Sequence, residues 1–320
     1  MNEPSTLPIL GAACQSVRVL EGGAASETPA GPPTKVAVIG LGAMGSRIAR
    51  RLLESPYEVV VWNRDETKAA ALVELGARFA ATPALAAQGA DVVVVMVSDP
   101  QALRDVTEGS EGAAAGTTAS TTLIQMSTVS PESVSRLAST LPAGAGLLDA
   151  PVLGSLAEAE AGGLTIFAGG TRSAVARCTP LLSALGSVLH VGPLGAGTAA
   201  KLVANATLFG TLGVLGEAVA LARGLDLSPE STFSILAATP LGAQAERRRT
   251  AIESGEYPVR FTLSLARKDA DLIIAAASAC GADLRLAAAA RSWLAEAESD
   301  GGDRDYAEML ARIVATGSRA

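Results

Sequence analysis

The sequence predicts an α/β protein: an N-terminal Rossmann-type, doubly wound sheet followed by an all-α C-terminal domain. Three observations carry this expectation. Short β-branched runs alternate with amphipathic stretches from Lys35 onward, a glycine-rich turn follows the first run directly, and the strand pattern stops near Gly195. Continuously apolar strands separated by helices belong to a parallel sheet covered on both faces.

A chain of 320 residues exceeds what one hydrophobic core normally serves, so two domains are expected. Residues 1–34 mix Pro, Gly, Ser, Ala and Glu without period and read as a disordered extension. The Rossmann domain is expected over 35–195 and the helical domain over 196–320. Strands are predicted at 35–39, 58–62, 91–96, 123–126, 147–148, 164–168 and 188–191. Helices are predicted between the early strands at 44–54, 65–75, 83–87 and 131–141. After Gly195 apolar repeats at helical spacing occupy 198–223, 229–238, 263–279, 286–297 and 306–315. With 3% aromatic residues, the core must be built from small aliphatic side chains.

A formal net charge of −7 gives no electrostatic footprint for nucleic acid, and no nucleic-acid partner is expected. The basic run Arg247-Arg248-Arg249 reads as a solvated helix face, with an anion contact as the alternative. Cys14, Cys178 and Cys280 lack metal-ligand or disulfide-framework spacing, so no metal is expected and a reducing cytoplasm is the natural location. The most apolar segment, 199–222, is interrupted by Lys201, Asn205 and Glu217, and no membrane partner is expected. The N-terminus has no basic region ahead of an apolar run and does not read as a secretory signal.

The first strand runs into Gly40-Leu41-Gly42-Ala43-Met44-Gly45, which opens a helix inside a βαβ unit. That context marks a dinucleotide site. Gly40 permits the tight turn, Gly42 lets the backbone approach a pyrophosphate, and Gly45 allows close helix–strand packing at a helix N-terminus favourable to anions. The second strand ends at Trp62-Asn63-Arg64-Asp65. An NAD-selective site places an acid near here for the ribose hydroxyls, whereas Asn63 and Arg64 suit a 2′-phosphate, favouring NADP(H) over NAD(H). The alternative has Arg64 stacking on adenine and Asp65 reaching the ribose.

Hydride exchange with a carbonyl needs a protein group that exchanges a proton with the substrate oxygen. The only histidine, His190, lies in an apolar strand and reads as structural. Lys201 and Asn205, four residues apart, share one face of the most apolar helix. Such groups are costly there unless they line a polar cleft, and desolvation readily moves a lysine pKa. A structural ion pair or helix-end contact remains the alternative.

Together these residues resemble the β-hydroxyacid dehydrogenase superfamily, which includes 3-hydroxyisobutyrate dehydrogenases and glyoxylate/succinic semialdehyde reductases. The resemblance rests on the glycine turn, Met126-Ser-Thr-Val-Ser-Pro131, Asp149-Ala-Pro-Val-Leu-Gly154 with the Ala-Gly-Gly-Leu-Thr-Ile-Phe-Ala-Gly-Gly170 segment that follows, Gly195-Ala-Gly-Thr-Ala-Ala-Lys-Leu-Val-Ala-Asn205, and Lys268-Asp269. It implies an oxidoreductase interconverting a small β-hydroxy acid and its aldehyde or keto form. Lys201 would be the general acid and base and Asn205 would orient the substrate. Ser127, with backbone N–H groups around Gly154 and Ser155, would hold the substrate carboxylate. Thr128 and Lys268 would lie at the nicotinamide, with Val97 and Ser98 beside its ribose. In the alternative, Ser127 and Thr128 merely precede a helix capped by Ser130.

The substrate loop departs from the family's Asp-x-Pro-Val-Ser-Gly-Gly: Leu153 stands for the serine and Ser155 for the second glycine. Leucine cannot hydrogen-bond a carboxylate, so the carboxylate is shifted or the substrate is less polar. Imine reductases share the architecture but typically carry another residue where Lys201 stands. A cofactor-sensing module that binds NADP without turnover is the reading from another class. The helix 198–223 is apolar almost all round, and family members assemble through this domain, so a homodimer is expected. Burial within one chain is the alternative.

Overall fold

A computed structural model of the chain describes residues 34–317. The extension read over 1–34 lies, apart from Thr34, outside the described residues, as does Cys14.

The first half alternates strands and helices: β1 (Lys35–Ile39), α1 (Ala43–Leu53), β2 (Glu58–Trp62), a 3-10 turn (Glu66–Ala69), α2 (Ala70–Glu74), β3 (Arg78–Phe79), α3 (Pro83–Ala87) and β4 (Val92–Val95). There follow α4 (Pro100–Thr107), α5 (Ala113–Gly116), β5 (Thr122–Gln125), α6 (Pro131–Thr140), β6 (Gly146–Asp149), β7 (Val152–Leu153), α7 (Leu156–Ala161), β8 (Leu164–Gly169), α8 (Arg172–Ser183) and β9 (Gly186–Gly192). The strands form one sheet in the order β3-β2-β1-β4-β5-β6-β8-β7, with β9 also paired to β8. The order reverses between β1 and β4, and ligands of such sheets bind at the carboxyl ends of the strands at that switch point. Apolar clusters cover both faces of the sheet.

Several helices begin on a side-chain oxygen that accepts from the first turn: Thr82 for α3, Asp99 for α4, Ser130 for α6 and Thr171 for α8. Proline at the start of α3, α4 and α6 fixes the entering backbone. The sequence reading passed over α4 and α8. Both carry readable signals, a capping side chain and an apolar face, Leu103 and Val106 in α4 and Val175, Cys178, Leu181 and Leu182 in α8.

The sheet is parallel over β1 to β6, as the alternation of strands and helices predicts, and acquires antiparallel pairs only at β8, whose direction the sequence reading left open. Strands β1 to β6 are parallel, but β8 runs antiparallel to β6 and β7. The connection from β7 through the six-residue α7 is too short for the crossover that parallel neighbours require, so β8 returns beside the strand it left.

From Ala196 on the described chain is helical: α9 (Ala196–Gly224), α10 (Pro229–Ala237), α11 (Gly242–Ser254), α12 (Leu263–Cys280), α13 (Arg285–Glu298) and α14 (Glu308–Thr316). By length and composition α9 could cross a membrane, with a mean hydropathy of 1.5 in its most apolar window, 44% of which is buried within the chain. It serves here as the core helix, packed by α12, α13 and α14. Gly213 lies against the Trp293 ring and Gly216 against Ile313, so neighbouring side chains approach the α9 backbone closely. Helix α11 was foreseen only as a helix face at its basic run, and not in its extent, because its polar sequence carries no apolar repeat. Its basic run is only partly a solvated face. Arg248 donates to the Tyr306 hydroxyl at 2.5 Å, and Arg249 pairs with Glu253 and lies over the Phe233 ring.

One carboxylate joins the two parts. Asp149, at the carboxyl end of β6, is fully buried and accepts from the N–H of Gly195 at 2.7 Å and of Thr198 at 2.6 Å. Gly197 packs so tightly that any Cβ would collide with the carbonyl oxygens of Asp149 and Phe167. Substituting Asp149→Ala strands two buried donors, each worth roughly 1–3 kcal/mol, so a loss of about 3 kcal/mol is expected in urea unfolding. A loss below about 1 kcal/mol would show that water or a neighbour replaces the carboxylate.

Candidate active site

The glycine turn closes as its sequence requires. Gly40 has φ +95°, and a Cβ there would run into the carbonyl of Met96; one at Gly45 would run into the carbonyl of Gly40. Gly42, by contrast, faces open space, so an incoming group can reach its backbone. Helix α1 starts at Ala43 and Met44 with no capping side chain and no acid in its first turn. Unsatisfied N–H groups at a helix start, beside a backbone bare of side chain, fit a dinucleotide pyrophosphate. Leu41 is buried, and its N–H donates at 2.9 Å to the side-chain oxygen of Asn63, whose amide nitrogen donates to the carbonyl of Asp65. Asn63 therefore clamps the turn to the end of β2. Arg64 is exposed and forms no ion pair among the described residues. The Asp65 carboxylate is turned onto Thr67, accepting from its hydroxyl at 2.6 Å and its N–H at 3.1 Å, and these bonds hold its pKa below the usual carboxylate range.

The ends of β4 and β5 meet at Val97 and Ser127. Ser127 is buried, and its hydroxyl oxygen accepts from the N–H of Val97 at 2.8 Å. Gln125 grips the Ser127 backbone from both sides, accepting from its N–H and donating to its carbonyl. Ser98 is exposed and donates to Asp99 at 2.6 Å. Ser130 caps α6, leaving Thr128 free of that duty. Its carbonyl accepts from Nζ of Lys268 at 2.7 Å, a bond from α12 to the end of β5.

At that junction lies a buried charge cluster. Asn205 is 1% exposed and donates at 2.7 Å to Oδ2 of Asp269, itself 2% exposed. Lys268 Nζ sits 2.5 Å from the other oxygen, Oδ1. Burial pushes the Asp269 carboxyl up, while Lys268, the Asn205 amide and Lys201 oppose that shift. Lys201 projects from α9 one turn after the Asp149 joint. Burial drives its pKa down, Asp269 works against that, and Lys268 adds to it. Direct contacts join Asn205, Asp269, Lys268 and the Thr128 carbonyl, next in chain to Ser127, and the charges of Asp269 and Lys268 reach Lys201. An ammonium that gives up its proton more easily than in water is suited to general acid–base exchange.

The loop after β7 differs from the expectation drawn from the resemblance. Ser155 donates its N–H to Glu158 Oε2 at 2.7 Å and its hydroxyl to the same oxygen, so both of its donors are already engaged. These bonds lower the Glu158 pKa. Gly154 stands at φ +141° beside the exposed Leu153. His190 is structural in place, its Nε2 3.0 Å from the carbonyls of Gly170 and Gly192.

Three acidic residues of the site went unassigned in the sequence reading. Asp269 was visible only as half of a Lys-Asp pair, and its burial is a tertiary fact. Asp149 was quoted within a motif without a role. Glu158 carried a readable signal, since Ser155 with an acid three positions later is a capping pattern at the start of a helix.

Known proteins agree with this architecture. A family model described as the NAD-binding domain of 6-phosphogluconate dehydrogenase matches residues 35–192, and one described as the NAD-binding domain of NADP-dependent 3-hydroxyisobutyrate dehydrogenase matches 195–313. An uncharacterized oxidoreductase of Bacillus subtilis is 35% identical over 281 residues, covering 86% of this chain and 98% of its own. The 3-sulfolactaldehyde reductase of Escherichia coli is 31% identical, covering 87% and 95% respectively. Among solved structures, a 3-hydroxyisobutyrate dehydrogenase of Mycobacterium tuberculosis, described with L-serine, superimposes with a TM-score of 0.80 at 26% identity, over 90% of this chain and 99% of that one. With its nicotinamide dinucleotide-binding domain followed by a helical domain, the chain belongs to the β-hydroxyacid dehydrogenase superfamily of oxidoreductases.

Proposed function

We propose that the chain is an NADP(H)-dependent reductase or dehydrogenase that interconverts a small hydroxy acid, or a related alcohol, with its aldehyde or keto form. The observation that carries this reading is Lys201, half-buried and desolvated on α9 within reach of the Asp269 charge, at the place where Lys268 of α12 bonds the Thr128 carbonyl beyond β5. When bound, the nicotinamide supplies or accepts the hydride at the carbonyl carbon. In reduction the carbonyl π bond opens toward oxygen as the new C–H bond forms, and Lys201 donates its proton to that oxygen. In oxidation neutral Lys201 takes the hydroxyl proton. Asn205 and Asp269 fix the polar wall of the site, and Lys268 holds Thr128 against it. Gly40, Gly42 and Gly45 with the first turn of α1 would hold the pyrophosphate, and Val97, Ser98 and Thr128 the ribose and nicotinamide end.

Preference for NADP(H) is supported by Arg64, a free guanidinium at the end of β2, and by Asp65, whose carboxylate is committed to Thr67. Assembly as a homodimer is supported by an apolar stripe left open on α9. Val203 is 66% exposed, Val214 38% and Leu221 65%, at spacings that place them on one side of the helix. The free thiols Cys178 and Cys280 accord with a reducing compartment such as the cytoplasm.

Substitution Lys201→Ala lowers kcat about a thousandfold, measured by loss of NADPH absorbance with a panel of aldehydes and keto acids. If wild type shows no turnover with any of them yet binds NADPH, the cofactor-sensing reading replaces this one; turnover of cyclic imines alone favours an imine reductase. The pH dependence carries its own sign. Oxidation requires neutral Lys201 and rises with pH through a midpoint below the ordinary lysine value of 10.5, whereas reduction falls through the same region. For the cofactor, Arg64→Ala reduces the NADPH-over-NADH ratio of kcat/KM about tenfold or more, the worth of one charge-assisted phosphate contact. The double variant Val203→Glu, Leu221→Glu shifts the mass found by light scattering from dimer to monomer. A monomeric wild type would mean that the α9 stripe has no self-partner.

A further inference from the structure

Where α12 packs on α9, two fixed charges stand beside one that can be given up. Asp269 is buried; its Oδ1 lies 2.5 Å from Nζ of Lys268, and its Oδ2 accepts from Asn205 at 2.7 Å. The same Nζ donates to the Thr128 carbonyl at 2.7 Å. The third member is Lys201, and the fields that reach it are those of Asp269 and Lys268. Of the other elements packed on α9, β7 and β8 carry no titratable side chain, Asp149 on β6 is turned onto the N–H groups of Gly195 and Thr198, and His190 on β9 faces the carbonyls of Gly170 and Gly192. Glu132 on α6 and Arg247 on α11 are exposed, Arg248 bonds Tyr306, and the charged groups of α13 and α14 stand in ion pairs. In a sheet of this order a dinucleotide lies across the carboxyl ends of the strands, on both sides of the glycine turn. Asn63 and Arg64 close β2 on one side, so the nicotinamide half belongs over the ends of β4 and β5, and Thr128 stands just beyond β5. Lys268 thus reaches from Asp269 to the main chain beside that half.

We propose that Asp269 and Lys268 are positioning residues that cancel each other's charge and leave the site one positive charge, carried by the nicotinamide ring or by Lys201 but not by both. The inference rests on the oxidoreductase reading above and adds to it a link between the redox state of the cofactor and the proton on Lys201. An oxidised nicotinamide ring is positively charged and a reduced one is neutral. In oxidation Nζ of Lys201 receives the O–H proton of the substrate, the C–H hydrogen leaves with its electron pair for the ring, and the C=O bond forms. One positive charge is lost from the ring as one appears on the lysine, so the total in the site is constant; reduction reverses each transfer. Two positive charges at once repel each other in a low-dielectric space whose carboxylate already has a partner. Oxidised cofactor therefore favours Lys201 as the neutral base and reduced cofactor favours it as the ammonium acid, the form that each direction consumes. The charge that remains is of the sign that the carboxylate of a hydroxy acid offsets. Burial lowers the Lys201 pKa, Asp269 opposes this and Lys268 adds to it, so a further positive charge acts in the direction already set.

Binding, not turnover, is the readout. Titration calorimetry gives Kd for NADP+ and NADPH, and in parallel for NAD+ and NADH, from about pH 6 to about pH 10 in wild type, Lys201→Met and Lys268→Met. Circular dichroism checks that each variant is folded. Groups that titrate on the cofactor itself, such as a 2′-phosphate, are common to both redox forms and cancel in the ratio of the two constants. A positive ring binds better beside neutral Lys201, so the wild-type ratio of oxidised to reduced Kd falls about tenfold as pH rises toward the ordinary lysine value of 10.5. The fall is absent from Lys201→Met. Lys268→Met leaves Asp269 without its partner and strengthens the hold of Lys201 on its proton, so there the fall moves to higher pH. A flat ratio in wild type that turns over a hydroxy acid or an aldehyde overturns the inference and leaves the oxidoreductase reading intact. A fall that persists in Lys201→Met belongs to another group and overturns it equally, and one that keeps its position in Lys268→Met overturns the role of Lys268. If neither redox form binds and no carbonyl compound in the panel is reduced, the oxidoreductase reading falls and this inference falls with it.

Discussion

The position of Lys201 and Asn205 relative to the sheet depends on the joint between β6 and α9. A buried Asp149 takes the N–H groups of Gly195 and Thr198, and the absence of a side chain at Gly197 lets the helix start come into contact with the strand-end carbonyls. A helix N-terminus has N–H groups that its own ladder leaves unpaired and a dipole that favours an anion, so the carboxylate and the helix start satisfy each other. Burial raises the Asp149 pKa, and the N–H bonds oppose that shift without cancelling it. Because α9 leaves this joint as one continuous helix, Lys201 is fixed one turn on, where the charges of Asp269 and Lys268 reach it.

The cluster around Lys201 works by frustrating its own charges. An ammonium beside a carboxylate in low dielectric would ordinarily stay protonated. Here Lys268 shares Asp269 and also repels Lys201, and Asn205 takes up the remaining carboxylate oxygen. The attraction available to Lys201 is therefore divided, and desolvation prevails. The same Lys268 reaches across to the Thr128 carbonyl, so the groups that tune the proton also hold the helical part against the sheet. The contacts that set the proton affinity of Lys201 thus also hold the two parts together.

The loop after β7 is anchored apart from that cluster. Ser155 donates to Glu158 at the start of α7, and the ion pair of Arg47 with Glu160 keeps α7 seated on α1. The glycine turn, the Asp149 joint and the charge cluster rest on other residues, so each part of the site has its own local support.

The sequence by itself determined the sheet-then-helix order, the glycine turn, the strand-end position of Asn63 and Arg64, and the face shared by Lys201 and Asn205. Each is a local matter of period, capping or backbone conformation, legible from neighbours a few residues apart. Tertiary structure decided the rest: the return of β8 antiparallel to β6, the partners of Ser127, the capture of Ser155 by Glu158, and the meeting of Lys201 with Asp269 and Lys268. Residues 127, 201 and 269 are far apart in the chain, and only packing brings them into one low-dielectric space. The extent of helix α11 stayed hidden because it is held by contacts such as Arg248 on Tyr306, not by an apolar repeat of its own. Period and capping act over a single turn, whereas burial, and with it the proton affinity of Lys201, is a property of the assembled whole.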